Sequence, residues 1–243
     1  MLRLGCEGKI VYLTLDRPAA RNAIPAEGWD EIAERVAEVA RTDARLLVVT
    51  GAGGAFSAGV DLSDFDVFQD DIAEAAKLRQ RIRTALDRLR ALEIPTVAMI
   101  EGPCYGAGVA LAIACDFRIA APEARFAITP AKLGLAYPQE DVHRLVRLVG
   151  AGQAARLLFT AGMIDAMEAR RIGLVEMVEA VAAARPVFRT IVENSAASLA
   201  VLKRSIRLTA QGVRSDPEQD RLFDELLSGP EVRQRLEALR GGT

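Results

Sequence analysis

Two glycine-dense stretches of this chain each follow an apolar run that reads as a buried strand. One is Gly51–Asp64 (GAGGAFSAGVDLSD), which leaves the run Leu46–Thr50. The other lies within Pro95–Asp116 (PTVAMIEGPCYGAGVALAIACD), after Thr96–Ile100. Gly106 and Gly108 fall where a helix of small apolar residues should begin, so main-chain N–H groups there can face a ligand. A helix N-terminus also favours negative charge. Two such strand exits could each donate one N–H to a single developing oxyanion, the fixed arrangement that acyl chemistry needs.

Candidates for proton transfer are few. Glu140 and Asp141 follow Pro138 by two and three residues. Acids in the first turn of a helix also complement its dipole, and Glu140 is spaced to pair with Arg144. His143 is the sole histidine and could titrate near neutrality. Its place between Val142 and Arg144 suits a surface or structural role better. Tyr137 offers a neutral acid or a pocket wall. Asp61 closes the first glycine stretch, where an aspartate ties a turn through backbone N–H groups.

The elements that must position these groups alternate in period. Strands are expected at Ile10–Leu15, Leu46–Thr50, Thr96–Ile100, Phe117–Ala120 and Arg125–Ile128, with a short one at Val175. Helical spacing runs over Ala26–Arg41 (Trp29, Ile32, Ala33, Val36) and Asp70–Leu92 (Ile72, Ala75, Ala76, Ile82, Leu86, Leu89). A further helix follows Pro138 and ends at Gly150, and another covers Asp165–Arg171. Strands alternating with helices predict an α/β fold. Beyond Arg185 the pattern is helical, broken at Asn194–Ser195, Asp216–Pro217 and Gly229–Pro230. That change of texture divides the chain into a core carrying the site, 1–185, and a helical region, 186–243.

With 243 residues the chain can bury a sizeable core, and its formal charge of −2 gives no electrostatic case for nucleic acid or a membrane surface. Cys6, Cys104 and Cys115 lack metal-ligand spacing, and the last two sit in apolar surroundings, as buried thiols do. A reducing cytoplasm fits. The first residues, MLRLGCEGKI, show no apolar signal core. Gly102–Cys115 is too short and glycine-broken for a bilayer, which takes about 20 apolar residues.

Taken together, AFSAGVDL (55–62) and IEGPCYGAGVALAIACD (100–116) resemble the crotonase, or enoyl-CoA hydratase/isomerase, superfamily. PAARNAI (18–24), ARFAITPAKLGLAYP (124–138) and LLFTAGMIDAMEARRIGLVEMV (157–178) extend the resemblance over nearly the whole chain, in the family's order. The resemblance implies a crotonase-like (ClpP/crotonase) fold of repeated ββα units. It also implies C-terminal helices that cover the active site and assemble trimers, often paired as hexamers. The implied substrate is an acyl-CoA thioester, with coenzyme A part of the substrate, no permanently bound cofactor and no metal.

Residue by residue, the family pattern makes Val60 and Ala107 the owners of the two oxyanion amides. It lays the loop with Arg21 and Ala23 against the pantetheine and nucleotide, and the main chain around Ser57 and Ala58 against the adenine. Asp61 and Leu62 complete the coenzyme A loop, and Leu62, Phe65 and Phe68 are candidates for the acyl tunnel. The chain departs from the pattern where hydratases carry two glutamates, because both positions are alanine, Ala110 and Ala131. A methyl group exchanges no proton. Double-bond isomerisation, with Glu140 or Asp141 as base, is therefore expected ahead of hydration. The alternative is a non-catalytic acyl-CoA-binding homologue.

Two other readings are weaker. Ala55–Gly59 nearly matches G-x-S-x-G, with Ser57 as nucleophile and His143 as base, but lacks the first glycine. Gly51, Gly53 and Gly54 miss the dinucleotide spacing, whose sixth position is Phe56.

Overall fold

The computed structural model describes residues 1–65 and 71–241. Its main sheet has the order β1 (Leu2–Glu7), β2 (Ile10–Leu15), β3 (Leu46–Gly51), β4 (Thr96–Ile100), β6 (Phe117–Ala120) and β9 (Met177–Val178). β1 and β2 pair antiparallel, and every later neighbour pairs parallel. Apolar runs in parallel strands need cover on both faces, and alternation sends successive residues to opposite sides. Leu47, Val49, Ala98 and Ile100 face α1 (Ala26–Val39), α2 (Ile72–Ala91) and α3 (Ala107–Ala114). Leu46, Val48, Val97 and Met99 face the other way, under Ala184 and Phe188 of a later helix.

A smaller sheet, β5 (Pro103–Tyr105), β7 (Arg125–Ala127) and β8 (Ile164–Asp165), lies beside the β4–α3 connection. Two isolated parallel bridges, Ser57 with Cys104 and Ile24 with Val60, extend its pairing into the first glycine stretch.

Helix α4 (Gln139–Thr160) does not end at Gly150. It kinks there, at φ 76 and ψ 160, and resumes because Ala154 and Leu157 again turn apolar surface inward. Asp165 caps α5 (Ala166–Arg171) by accepting from the Glu168 N–H. α6 (Val181–Glu193) runs straight through Arg185 and carries Ala184 and Phe188 onto the sheet. α7 (Ala196–Ala210), α8 (Pro217–Ser228) and α9 (Pro230–Gly241) follow, the first two capped by Ser195 and Asp216. No helix among the described residues is long and apolar enough to cross a membrane.

Strands β1, β5 and β8 escape the sequence reading. β1 is glycine-interrupted and half solvent-facing, and the other two span three and two residues. The strand expected at Val175 forms two residues later, at Met177.

Candidate active site

The two glycine-dense exits meet main chain to main chain. The Phe56 and Ser57 N–H groups both donate to the Pro103 carbonyl at 3.0 Å, and the Tyr105 N–H donates to the Ser57 carbonyl at 2.8 Å. Close approach explains the residue types. A Cβ on Gly108 would stand 2.8 Å from the Ser57 carbonyl oxygen. One on Gly59, whose φ is +98, would stand 2.9 Å from the Tyr105 carbonyl and 3.1 Å from the Ala107 nitrogen.

This contact leaves two N–H groups over. Ile24 brackets Val60 by donating to the Gly59 carbonyl (2.8 Å) and accepting from the Asp61 N–H (2.9 Å). The Val60 N–H has no acceptor among the described residues. Ala107 opens α3, and a first helical residue has no intrahelical acceptor for its N–H. Val60 and Ala107 both line one cavity of about 420 Å³, whose wall is otherwise mostly apolar and includes Phe65, Ile82, Ala110 and Tyr137.

Among the described residues, Asp141 is the one carboxylate on that wall. Its side chain is 1% exposed, and Oδ1 accepts from Arg83 Nη2 (3.1 Å) and Arg144 Nη1 (3.2 Å). Burial pushes its pKa up, the two guanidiniums pull it down, and the net direction is upward. Glu140, its neighbour, is exposed, stands 3.7 Å from Arg83 and does not line the cavity. The Tyr137 hydroxyl donates to the Gly106 carbonyl at 3.1 Å, and burial holds the phenol well above its ordinary pKa, so it stays neutral. Ala110 is buried in the wall where a longer side chain would enter the space. Ala131 lies on the exposed 3-10 turn Pro130–Leu133, outside it.

The remaining candidates form the support for the first exit. Ser57 is fully buried and donates to the Asn22 carbonyl at 2.8 Å while accepting from the Gly59 N–H, so its hydroxyl is engaged in the fold and no serine nucleophile is presented. The Ala58 N–H donates to the Arg21 carbonyl at 2.9 Å, which holds the Arg21 loop beside the Ser57 loop. The Arg21 side chain is exposed and Ala23 is buried. Asp61 accepts from Arg17 Nη1 (2.7 Å) and from the Ser63 N–H and hydroxyl, and the Arg17 hydrogen bond holds its carboxyl below the usual carboxylate range. Leu62 is 61% exposed and off the cavity wall, whereas Phe65 is on it. Phe68 lies outside the described residues.

Three further residues, Asn22, Arg17 and Arg83, carry the geometry without having been singled out in the sequence, and Arg144, expected to pair with Glu140, pairs with Asp141 and Asp87 instead. Asn22, in the left-handed region at φ 57, donates to the Ala52 and Ala55 carbonyls and accepts from the Arg17 N–H. A left-handed asparagine after PAAR was a readable turn signal. Arg17 and Arg83 had none, because their partners lie 44 and 58 residues away.

Two residues with unpaired amides on the wall of a mostly apolar cavity, and a buried carboxylate on the same wall, suit chemistry in which negative charge appears on a carbonyl oxygen as a carbon-bound proton moves. The comparisons with known proteins point the same way. Residues 5–235 match the family model for enoyl-CoA hydratase/isomerase. The structure superposes on that of an enoyl-CoA hydratase/isomerase family protein from Hyphomonas neptunium with a TM-score of 0.93 and 36% identity, covering 99% of this chain and 95% of that one. An enoyl-CoA hydratase/carnithine racemase from Magnetospirillum magneticum gives a TM-score of 0.93 at 28% identity, over 99% and 92% of the two chains. A short-chain-enoyl-CoA hydratase of Clostridium acetobutylicum is 34% identical over 224 residues, 90% of this chain and 84% of that protein. The chain belongs to the enoyl-CoA hydratase/isomerase family, and its fold is the crotonase fold.

Proposed function

We propose that the protein is an acyl-CoA thioester enzyme that stabilises an enolate with the Val60 and Ala107 amides and moves a double bond with Asp141 as the base. The observation that carries this reading is the shared cavity, whose wall holds Val60, Ala107 and, among the described residues, a single carboxylate; Ala110, where the family resemblance puts a hydratase glutamate, lies on the same wall. The thioester oxygen would sit between the amides. Asp141 would take a proton from the α-carbon of a 3-enoyl ester, the electron pair would spread into a dienolate, and the same proton would return at the γ-carbon to give the 2-enoyl ester. One carboxylate serves both transfers, so a second acid is dispensable. The upward direction of its pKa favours the exchange, because a catalytic base works best when its pKa lies near the operating pH.

Arg21, Ala23, Ser57, Ala58, Asp61 and Leu62 would form the side of the site toward coenzyme A, which enters as part of the substrate. The family's trimer or dimer of trimers is the assembly we expect, in a reducing cytoplasm.

The test is Asp141→Asn and Glu140→Gln, assayed for isomerisation of 3-enoyl-CoA and for hydration of 2-enoyl-CoA. Asp141→Asn should lose about 10²–10⁴-fold in isomerisation while still binding the ester, and Glu140→Gln should stay near wild type. Equal rates for Asp141→Asn and wild type would remove Asp141 from the mechanism. A wild type that binds esters and turns over neither substrate would favour the non-catalytic reading, which the double Arg pairing of Asp141 leaves in contention.

A further inference from the structure

A second hollow, of about 330 Å³, lies at the opposite end of α3 from the Ala107 amide and shares no wall residue with the acyl cavity. Six cations line it: Arg90, Arg118, Arg144, Arg147, Lys203 and Arg207, with Asp116 the only acid. Three of these charges are matched within the chain. Lys203 meets Asp116 at 2.8 Å, Arg118 pairs with Glu176, and Arg144 pairs with Asp141 and Asp87. The other three form no ion pair among the described residues, although Asp87 lies near enough to Arg90 to act on its charge. Arg90 and Arg147 donate to nothing among the described residues, and Arg207 reaches only the Arg90 carbonyl, at 3.4 Å.

Helix ends explain part of this gathering. The last turns of α2, α3 and α7 all contribute to the wall, and each helix C-terminus carries roughly half a negative charge. Those partial charges stand against three guanidiniums that form no ion pair, so the wall keeps a positive surplus. The crowding is felt: Arg90 is held below its ordinary pKa first by burial and then by Arg144. Arg118 and Arg144, 3% and 9% exposed, each also bury an Nε with no acceptor. A concave site with that surplus, and guanidiniums arriving from three different elements, matches an oxyanion with several equivalent acceptors.

We propose that this hollow binds a small multivalent oxyanion of the phosphate class, at a site separate from the acyl cavity. Inorganic phosphate and pyrophosphate serve as probes, titrated calorimetrically against the full chain at ionic strength matched with sodium chloride. Each titration is run with and without saturating coenzyme A. Saturable binding that coenzyme A leaves unchanged is expected, with one of the two probes preferred according to the size of the natural group. Arg147→Gln, at an exposed position that should fold normally, should weaken it about tenfold, the worth of one charge-assisted hydrogen bond. The pair Arg90→Gln and Arg207→Gln should abolish it. The proposal is overturned by heats no larger than the salt control, by variants that bind as wild type does, or by competition from coenzyme A, which would place the phosphate in the acyl-CoA site instead. None of these outcomes depends on isomerase activity.

Discussion

Asp141 and Glu140 are adjacent in sequence and opposite in environment, and that difference decides which can act as a base. Asp141 is buried on the cavity wall and Glu140 is in solvent. Because the Asp141 pKa is raised, turnover should rise with pH through a midpoint above the ordinary aspartate value of 3.8. Arg83 is the larger of the two charges that hold it down, so Arg83→Met should move that acid limb to higher pH, a shift readable from the pH dependence of kcat. A limb that stays put would mean that Asp141 is not the group titrating. The cysteines give an independent check on the core. Cys115 is buried and pushed up to about 12, Cys104 is buried and also pushed up, and Cys6 is exposed. Iodoacetamide at neutral pH should label one thiol per native chain and three after unfolding, because only the thiolate reacts.

At the scale of the element, the site depends on two strand exits touching without side chains between them. Gly59→Ala puts a methyl group against the Tyr105 carbonyl and the Ala107 nitrogen, at a φ of +98 that an L residue rarely adopts. The expected cost is about 1–3 kcal/mol in denaturant unfolding, and a larger proportional loss in kcat as the two amides are pushed apart. Stability lost with turnover retained would show that the Val60 and Ala107 amides do not need their present spacing. The first exit is also pinned by Asp61, whose folded pKa is depressed, chiefly by its hydrogen bond from Arg17. A depressed carboxylate contributes stability that is full above its unfolded pKa and is lost as pH falls through its folded one. Asp61→Asn should therefore flatten the acid side of a Tm-against-pH curve below about pH 4 and leave the neutral side nearly parallel to wild type.

Across the whole molecule, the C-terminal helices do two things that their pattern did not distinguish. α6 completes the core by covering the second face of the sheet. α7 reaches back with Lys203, 8% exposed, whose ammonium meets Asp116 and the Ile94 carbonyl, each at 2.8 Å. Asp116 in turn accepts from the Thr96 N–H at 2.7 Å, so the pair fixes α7 to the start of β4. Lys203→Met should lower stability by about 2 kcal/mol, below the usual loss for a broken buried pair because Asp116 is a third exposed, and Tm by about 5 °C. Farther out, Phe223, Leu227 and Leu239 leave large apolar side chains in solvent on a single chain, as surfaces that bind another subunit do. Sedimentation should give a multiple of three chains, reduced to monomer by Phe223→Glu.

The sequence by itself determined most of the elements and their order, but not the short or exposed strands β1, β5 and β8. β2, β4 and β6 stand where the apolar runs put them, and the two glycine-dense strand exits were legible as such, whereas the close approach at Gly59 and Gly108 was seen only in the structure. Those signals are local, carried by periodicity and by the few residue types that tolerate a tight turn. Ala110 and Ala131, at the positions where the family resemblance expects hydratase glutamates, were also legible without coordinates. Only the tertiary structure separated Asp141 from Glu140, turned Ser57 from a conceivable nucleophile into a loop tie, and recruited Arg17, Arg83 and Arg144. Burial depends on which distant segments arrive at the same place, and for Arg17 with Asp61 and Arg83 with Asp141 no short window along the chain contains both partners.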